Sequence, residues 1–160
     1  MDRRYWDSDC FLGWLQAEPD KEERCRQVLE AAEDGKVLIV TSALTIAEVL
    51  ALRGRDPIPP DRRAMVEAFF RRDYIHVRNI TRRIAEEARI YVWDFGVAPK
   101  DALHVATAID AALVLFNTFD KALIGKSGKL GKPALVIELP SWSEPKLPLR
   151  GGRGKKKTKG

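Results

Sequence analysis

Four consecutive aliphatic residues, Val37-Leu38-Ile39-Val40, admit few surroundings. A strand with one wet face alternates apolar and polar side chains, so a run with no polar member is covered on both faces, as inside a parallel sheet flanked by helices. The neighbouring segments agree. Asp20, with Glu23 three residues on, reads as a helix start; Cys25, Val28, Leu29 and Ala32 share one helical face, and Gly35 supplies the stop. After the run, Thr41 and Ser42 offer caps to a helix carrying Ile46, Ala47, Val49, Leu50 and Leu52.

The alternation continues along the chain. Residues 3–7 read as a short strand ending at Asp7, and Ser8 can cap a helix with Phe11, Leu12, Trp14 and Leu15 at helical spacing. Arg53 to Pro60 is a Gly- and Pro-containing loop; Asp61 can cap a helix with Met65, Ala68 and Phe69 inward and Arg62, Arg63, Arg71 and Arg72 as its solvated face. Tyr74-Ile75-His76-Val77 is a third strand, followed by a helix capped by Thr81, with Ile84, Ala85, Ala88, Tyr91 and Val92 on one face and Gly96 at its end. Pro99 is pre-shaped for a helix start, and the small residues behind it let that helix lie close against a sheet. A strand at 113–117, a turn of helix from Asp120, a basic Gly-rich loop from Gly125 to Pro133 and a strand at Ala134-Leu135-Val136-Ile137 complete the pattern. Strands alternating with helices predict an α/β fold around a mostly parallel sheet.

Length and charge bound the organisation. The 160 residues suit one domain, expected over residues 1–140, followed by a Gly/Lys-rich tail over 141–160. The net charge of +5 sits in that tail: Arg150, Arg153, Lys155, Lys156, Lys157 and Lys159 are six of the 28 basic residues, and their removal leaves 22 against 23 acidic ones. No apolar residue follows Leu149, so the end of the chain cannot bury enough surface to fold and is expected to be disordered. Its charge suits non-specific contact with RNA phosphates as well as it suits solubility. The longest purely apolar run, Ala111 to Phe116, is too short to span a bilayer, and the start of the chain, with Asp2, Asp7 and Asp9, lacks a signal-peptide profile. A cytoplasmic protein with no membrane partner is expected. Cys10 and Cys25 form no Cys-x-x-Cys pair and are expected to be free thiols.

Acids fall where such a fold does its chemistry, in the crevice beyond the carboxyl ends of the strands. Asp7 ends the first strand, and Asp120 follows the fourth. Asp101 stands in the first turn of the helix leading into that fourth strand, where the helix dipole favours its charge. Glu48 lies within the helix after the second strand; alone it is read in preference as a marginal residue with its carboxylate in water, and its company raises the functional reading. Four carboxylates cannot share a small space as anions without a counter-charge. Mg²⁺ or Mn²⁺, hard ions that take oxygen ligands, meet that need, whereas two unclustered histidines do not support zinc.

Four segments, Trp6-Asp7-Ser8-Asp9, Ala47-Glu48-Val49, Asp101-Ala102-Leu103-His104-Val105-Ala106-Thr107-Ala108 and Asn117-Thr118-Phe119-Asp120-Lys121, together resemble the successive acidic motifs of PIN-domain ribonucleases, most of all the VapC-type toxins of toxin–antitoxin pairs. The resemblance spans roughly residues 3–139. It implies a three-layer α/β/α fold and a Mg²⁺- or Mn²⁺-dependent endoribonuclease, with RNA as substrate, an antitoxin as partner and a homodimer as assembly. Carried over by motif, Asp7, Asp101 and Asp120 would hold metal, and Glu48 would complete the acidic cluster and help position the attacking water. Thr118 would orient the site through its hydroxyl, as Ser8 would beside Asp7. Asp9 departs from the pattern, since the family more often has Asn there; a cap for the helix from Ser8 onward is preferred to added charge at the pocket.

Other features carry less. Gly125-Lys126-Ser127 looks like the end of a phosphate-binding loop, yet Asp120 stands where that loop needs its first glycine. His104, one turn after Asp101, could act in catalysis, but a helix-packed histidine bonded to backbone or solvent is the simpler reading. Trp6, Trp14 and Trp93 lie within apolar patterns and read as core, while Asp94 and Asp110 read as solvent-facing. Two other classes stay open: a housekeeping RNA-processing or structure-selective nuclease without antitoxin, and a non-catalytic module that binds RNA or a partner. Growth arrest on expression separates the first from a toxin; metal binding no tighter than millimolar favours the second.

Overall fold

In the computed structural model, residues 1–52 and 54–148 are described. Five strands, β1 (Asp2–Trp6), β2 (Val37–Ser42), β3 (Ile75–Arg78), β4 (Leu115–Asn117) and β5 (Val136–Glu138), form one sheet in the order β3-β2-β1-β4-β5. Every pairing is parallel. From β1 the chain first builds outward through β2 to β3, then returns to the other side of β1 with β4 and β5. The direction of building reverses between β1 and β4, and such reversals open the crevice in which doubly wound folds place their sites.

Successive residues of a strand point to opposite faces, so Tyr5 and Trp6, both fully buried, open two cores. Trp6 joins Phe11, Leu12, Cys25, Val28, Ile39, Phe69 and Phe70. These belong to or face α1 (Ser8–Leu15), α2 (Glu22–Glu33) and α4 (Arg63–Phe70). Tyr5 joins Val40, Ile84, Ala88, Val105, Ala106 and Phe116, beneath α5 (Arg82–Phe95) and α6 (Pro99–Asp110). Helix layers therefore cover both faces, as the unbroken apolar run of β2 requires. Ala102, Ala106 and Ala108 of α6 are wholly buried, the close approach expected of a helix made of small residues. Two short helices, α3 (Ala43–Glu48) and α7 (Lys121–Ile124), follow β2 and β4. Among the described residues, no helix is long and apolar enough to cross a membrane.

Several local expectations change. Asp20 does not cap α2: its φ of +65° puts it in the left-handed region, and Lys21 is the cap residue without a side-chain bond. Asp61 falls inside a 3-10 turn, Pro60–Arg62, so α4 starts later and buries Val66, Phe69 and Phe70 while Met65 and Ala68 turn outward. α3 stops at Glu48, leaving Ile46 and Leu50 43% and 48% exposed. Trp93 is 74% exposed because the inward line of α5 runs through Ile84, Ala88 and Tyr91, and a residue two past Tyr91 lies on the opposite side. Asp110 is half-buried and pairs with Arg78 at 2.9 Å. Cys10 and Cys25 are free and buried, as expected of isolated thiols.

Beyond β5 the chain stays on the domain as far as Glu144. Arg4 donates to the Ser141 carbonyl at 2.6 Å, Trp142 packs against the Trp6 core, and Glu144 pairs with Lys36. The basic stretch 149–160, expected to be disordered, lies outside the described residues.

Candidate active site

β1 ends at Trp6, and Asp7 turns the chain into α1. Its Oδ1 accepts from the Cys10 N–H at 3.2 Å, so Asp7 is the helix cap that Ser8 or Asp9 was expected to be. Its Oδ2 accepts from the Thr118 hydroxyl at 2.5 Å, and that hydroxyl oxygen accepts from the Asp120 N–H at 3.0 Å. Thr118 thus ties the residue after β1 to the loop after β4, across the reversal in strand order. Asp120 caps α7, its Oδ1 accepting from Ala122 and Leu123 at 2.8 and 3.3 Å. Asp101 stands in the first turn of α6.

Glu48, 9% exposed at the end of α3, turns inward, away from the exposed Ile46 and Leu50 of its own segment. Its Oε1 accepts from the Ser8 hydroxyl at 3.1 Å and lies 2.6 Å from His104 Nε2. The other ring nitrogen, Nδ1, is 2.6 Å from the Tyr5 hydroxyl. His104 Nε2 also lies 3.5 Å from the Ser8 hydroxyl, so the ring is bonded to side chains on β1, α1 and α3, not to backbone or solvent. Its position three residues after Asp101 was the one sequence signal available. Asp9 pairs with Arg55 at 2.8 Å, and Arg55 Nε reaches Glu18 at 3.4 Å. Asp9 therefore adds negative charge beside the site, where capping was the preferred expectation, and is paired with a loop residue that no periodicity could single out.

The electrostatics follow from burial. Burial first, and the charge of Asp9 second, push the Asp7 carboxyl up to about 7 despite its two donors. Burial and the neighbouring Asp120 charge raise Asp101 to about 6, with Glu48 and Asp9 adding to the effect. Burial alone would raise Glu48 too, but the His104 and Ser8 hydrogen bonds bring it below the ordinary range. One neighbourhood thus holds acids that resist ionising together beside one that is held ionised. Among the described residues no three His, Cys, Asp or Glu side chains stand close enough to form a ready metal cage. The donor set still fits a hard dication in kind: oxygen ligands, buried at Asp7 and Glu48 and partly buried at Asp101 and Asp120, with acids crowding one another.

The chain matches the PIN-domain family over residues 4–128, and it belongs to that family. Solved structures similar to it come from toxin–antitoxin systems. A toxin–antitoxin complex from Klebsiella pneumoniae is 20% identical, covering 76% of this chain and 91% of that one, with a TM-score of 0.54. VapC20 of Mycobacterium tuberculosis, a sarcin-ricin-loop-cleaving toxin, is 14% identical over 74% of this chain and 90% of its own, with a TM-score of 0.58. VapBC2 of Rickettsia felis, bound to a DNA fragment from its promoter, is 13% identical over 86% and 98%, with a TM-score of 0.60. At these identities the likeness establishes the fold. No curated protein sequence matches the chain significantly.

Proposed function

We propose that the chain is a metal-dependent endoribonuclease that hydrolyses RNA phosphodiester bonds, and the toxin of a toxin–antitoxin pair. The observation carrying the first half is that Asp7 and Asp101, at one end of the sheet, are pushed up to about 7 and about 6 by burial and by other acids. A site that strains to ionise is one that a dication relieves. Asp7, Asp101 and Asp120 would hold Mg²⁺ or Mn²⁺. Bound there, the ion would orient the phosphodiester, lower the pKa of the attacking water and stabilise charge on the leaving oxygen. Thr118 and the Cys10 N–H fix the Asp7 carboxylate from both sides. Glu48, held ionised by Ser8 and His104, would position the water and accept its proton. The test is cleavage of RNA with Mn²⁺: Asp101→Asn should abolish it without unfolding the protein, and undiminished activity in that variant or in excess chelator would overturn the proposal.

Support for the toxin half comes from the far side of α3. Ile46, Leu50, Ile58, Pro59, Val66 and Phe70 line a groove of about 410 Å³, bordered by Arg63, Glu67 and Arg71. Such a groove suits the apolar side of an antitoxin segment, and the similar complexes from Klebsiella pneumoniae and Rickettsia felis are toxin–antitoxin assemblies. A segment seated there would lie one helix away from Glu48. Expression of the chain alone should arrest growth, and normal growth with active RNA cleavage in vitro would favour a housekeeping nuclease. A homodimer and a cytoplasmic setting belong to the same proposal.

A further inference from the structure

We infer that His104 is a positioning residue: oriented by Tyr5, it presents an N–H to Glu48 Oε1 and so leaves Oε2 as the oxygen that meets the attacking water. The role toward water rests on the nuclease reading above. The hydrogen-bond chain rests on geometry alone.

Tyr5 sets the direction of the chain. Its ring is fully buried and stacked on Phe116 with centroids 4.8 Å apart and planes 18° from parallel, so the hydroxyl is held in one place. A phenol carries its proton at neutral pH and can donate it. The partner at 2.6 Å is His104 Nδ1, which then accepts. In the neutral imidazole the other nitrogen carries the hydrogen, and Nε2 lies 2.6 Å from Glu48 Oε1. The opposite tautomer would set the Nε2 lone pair against a carboxylate oxygen that can only accept. Ser8 donates to the same Oε1 at 3.1 Å, and none of these bonds uses Oε2.

The arrangement joins elements that the acids alone do not. α6 carries Asp101 and His104 one turn apart, so a single helix supplies an acid and orients Glu48 on α3. Neither of these bonds joins Tyr5 to Glu48 directly, so His104 is the link between them in the chain.

The experiment uses the full chain and a random-sequence RNA pool with Mn²⁺, comparing wild type, Tyr5→Phe, His104→Gln and His104→Ala, each first shown to be folded. In wild type, ¹⁵N spectra of the imidazole should show hydrogen on Nε2 and none on Nδ1; Tyr5→Phe should lose that single tautomer. kcat should fall roughly tenfold in Tyr5→Phe and roughly a hundredfold in His104→Ala, with KM changed less than about threefold. His104→Gln, which still offers an N–H to Glu48, should recover most of the loss. Wild-type kcat in folded His104→Ala, a loss appearing wholly in KM, or hydrogen on Nδ1 in wild type would overturn the inference. If wild type cleaves no RNA while the spectrum shows the expected tautomer, the nuclease reading and the role toward water fail together, and the hydrogen-bond chain stands.

Discussion

Two buried charges bracket β1, the Arg4 guanidinium that reaches back from mid-strand to Asp2 and the Asp7 carboxylate just past the carboxyl end, and they are treated in opposite ways. Toward the amino end, Arg4 is 3% exposed and every guanidinium nitrogen has an acceptor: Asp2 takes Nε and Nη2 at 3.1 and 2.8 Å, while Asn117 Oδ1 and the Ser141 carbonyl take Nη1 at 3.3 and 2.6 Å. Past the carboxyl end, Asp7 is 4% exposed and has two neutral donors, yet its pKa is pushed up to about 7. The same strand can close a buried charge completely, so the open balance at Asp7 is not a limit of the fold. Under the proposed function it is where a cation would complete the structure, while the amino end is closed by its own side chains.

The sharpest test of that contrast is to remove each charge. Asp7→Asn should lower Mn²⁺-dependent RNA cleavage by a factor of about 10³ or more, measured as kcat/KM, because the carboxylate proposed to hold the ion is gone. Arg4→Ala should leave Asp2 and Asn117 facing an empty cavity and destabilise the fold by about 3–5 kcal/mol, read from denaturant unfolding. Catalytic loss at one end with structural loss at the other is the expected pattern. Comparable unfolding in both variants would erase the distinction.

The next effect is smaller and opposite in sign. With metal removed, Asp7 in the fold takes up a proton near pH 7, whereas in the unfolded chain it does so near the ordinary 3.8. Between those values the native state binds more protons, so this group makes stability fall as pH rises from about 4 to about 7. Asp101 adds a similar fall up to about 6. In chelator, Asp7→Asn should therefore be more stable than wild type at pH 8, by about 1–3 kcal/mol after allowing for the weaker acceptor left to Thr118 and Cys10. The advantage should vanish near pH 4. A variant no more stable than wild type at pH 8 would show that Asp7 carries no uncompensated charge.

The carboxyl-end acids were legible in the sequence because strand ends and helix starts fix position without tertiary knowledge. Asp7, Asp101 and Asp120 each adjoin an apolar run or a helix signal, and parallel strands carry such residues to a common edge. Glu48 was legible only through its company. The structure turns it inward because α3 ends there, a short helix that the apolar spacing through Leu52 concealed. The Tyr5–His104–Glu48 chain joins residues 99 and 56 positions apart, and no local pattern encodes a contact among β1, α6 and α3. Trp93 misled for a related reason: an aromatic within a helical stripe reads as core until the inward face is fixed by Ile84, Ala88 and Tyr91. Arg55, in an irregular loop, offered no periodicity at all.

That loop residue supplies the smallest and most discriminating effect. Asp9 is both a cause of the raised Asp7 pKa and the partner of Arg55 at 2.8 Å. Asp9→Asn removes a like charge from the neighbourhood of Asp7 and, in the same stroke, an ion pair with partial exposure, two changes of opposite sign that should leave overall stability within about 1 kcal/mol of wild type. The informative quantity is the metal-free difference in melting temperature between pH 5 and pH 8. It should shrink in Asp9→Asn, because Asp7 then ionises at lower cost, while RNA cleavage with Mn²⁺ stays within about threefold. An unchanged difference would assign the Asp7 shift to burial alone. The contrast between the two ends of β1 would then be one of solvation, with charge crowding removed from the explanation.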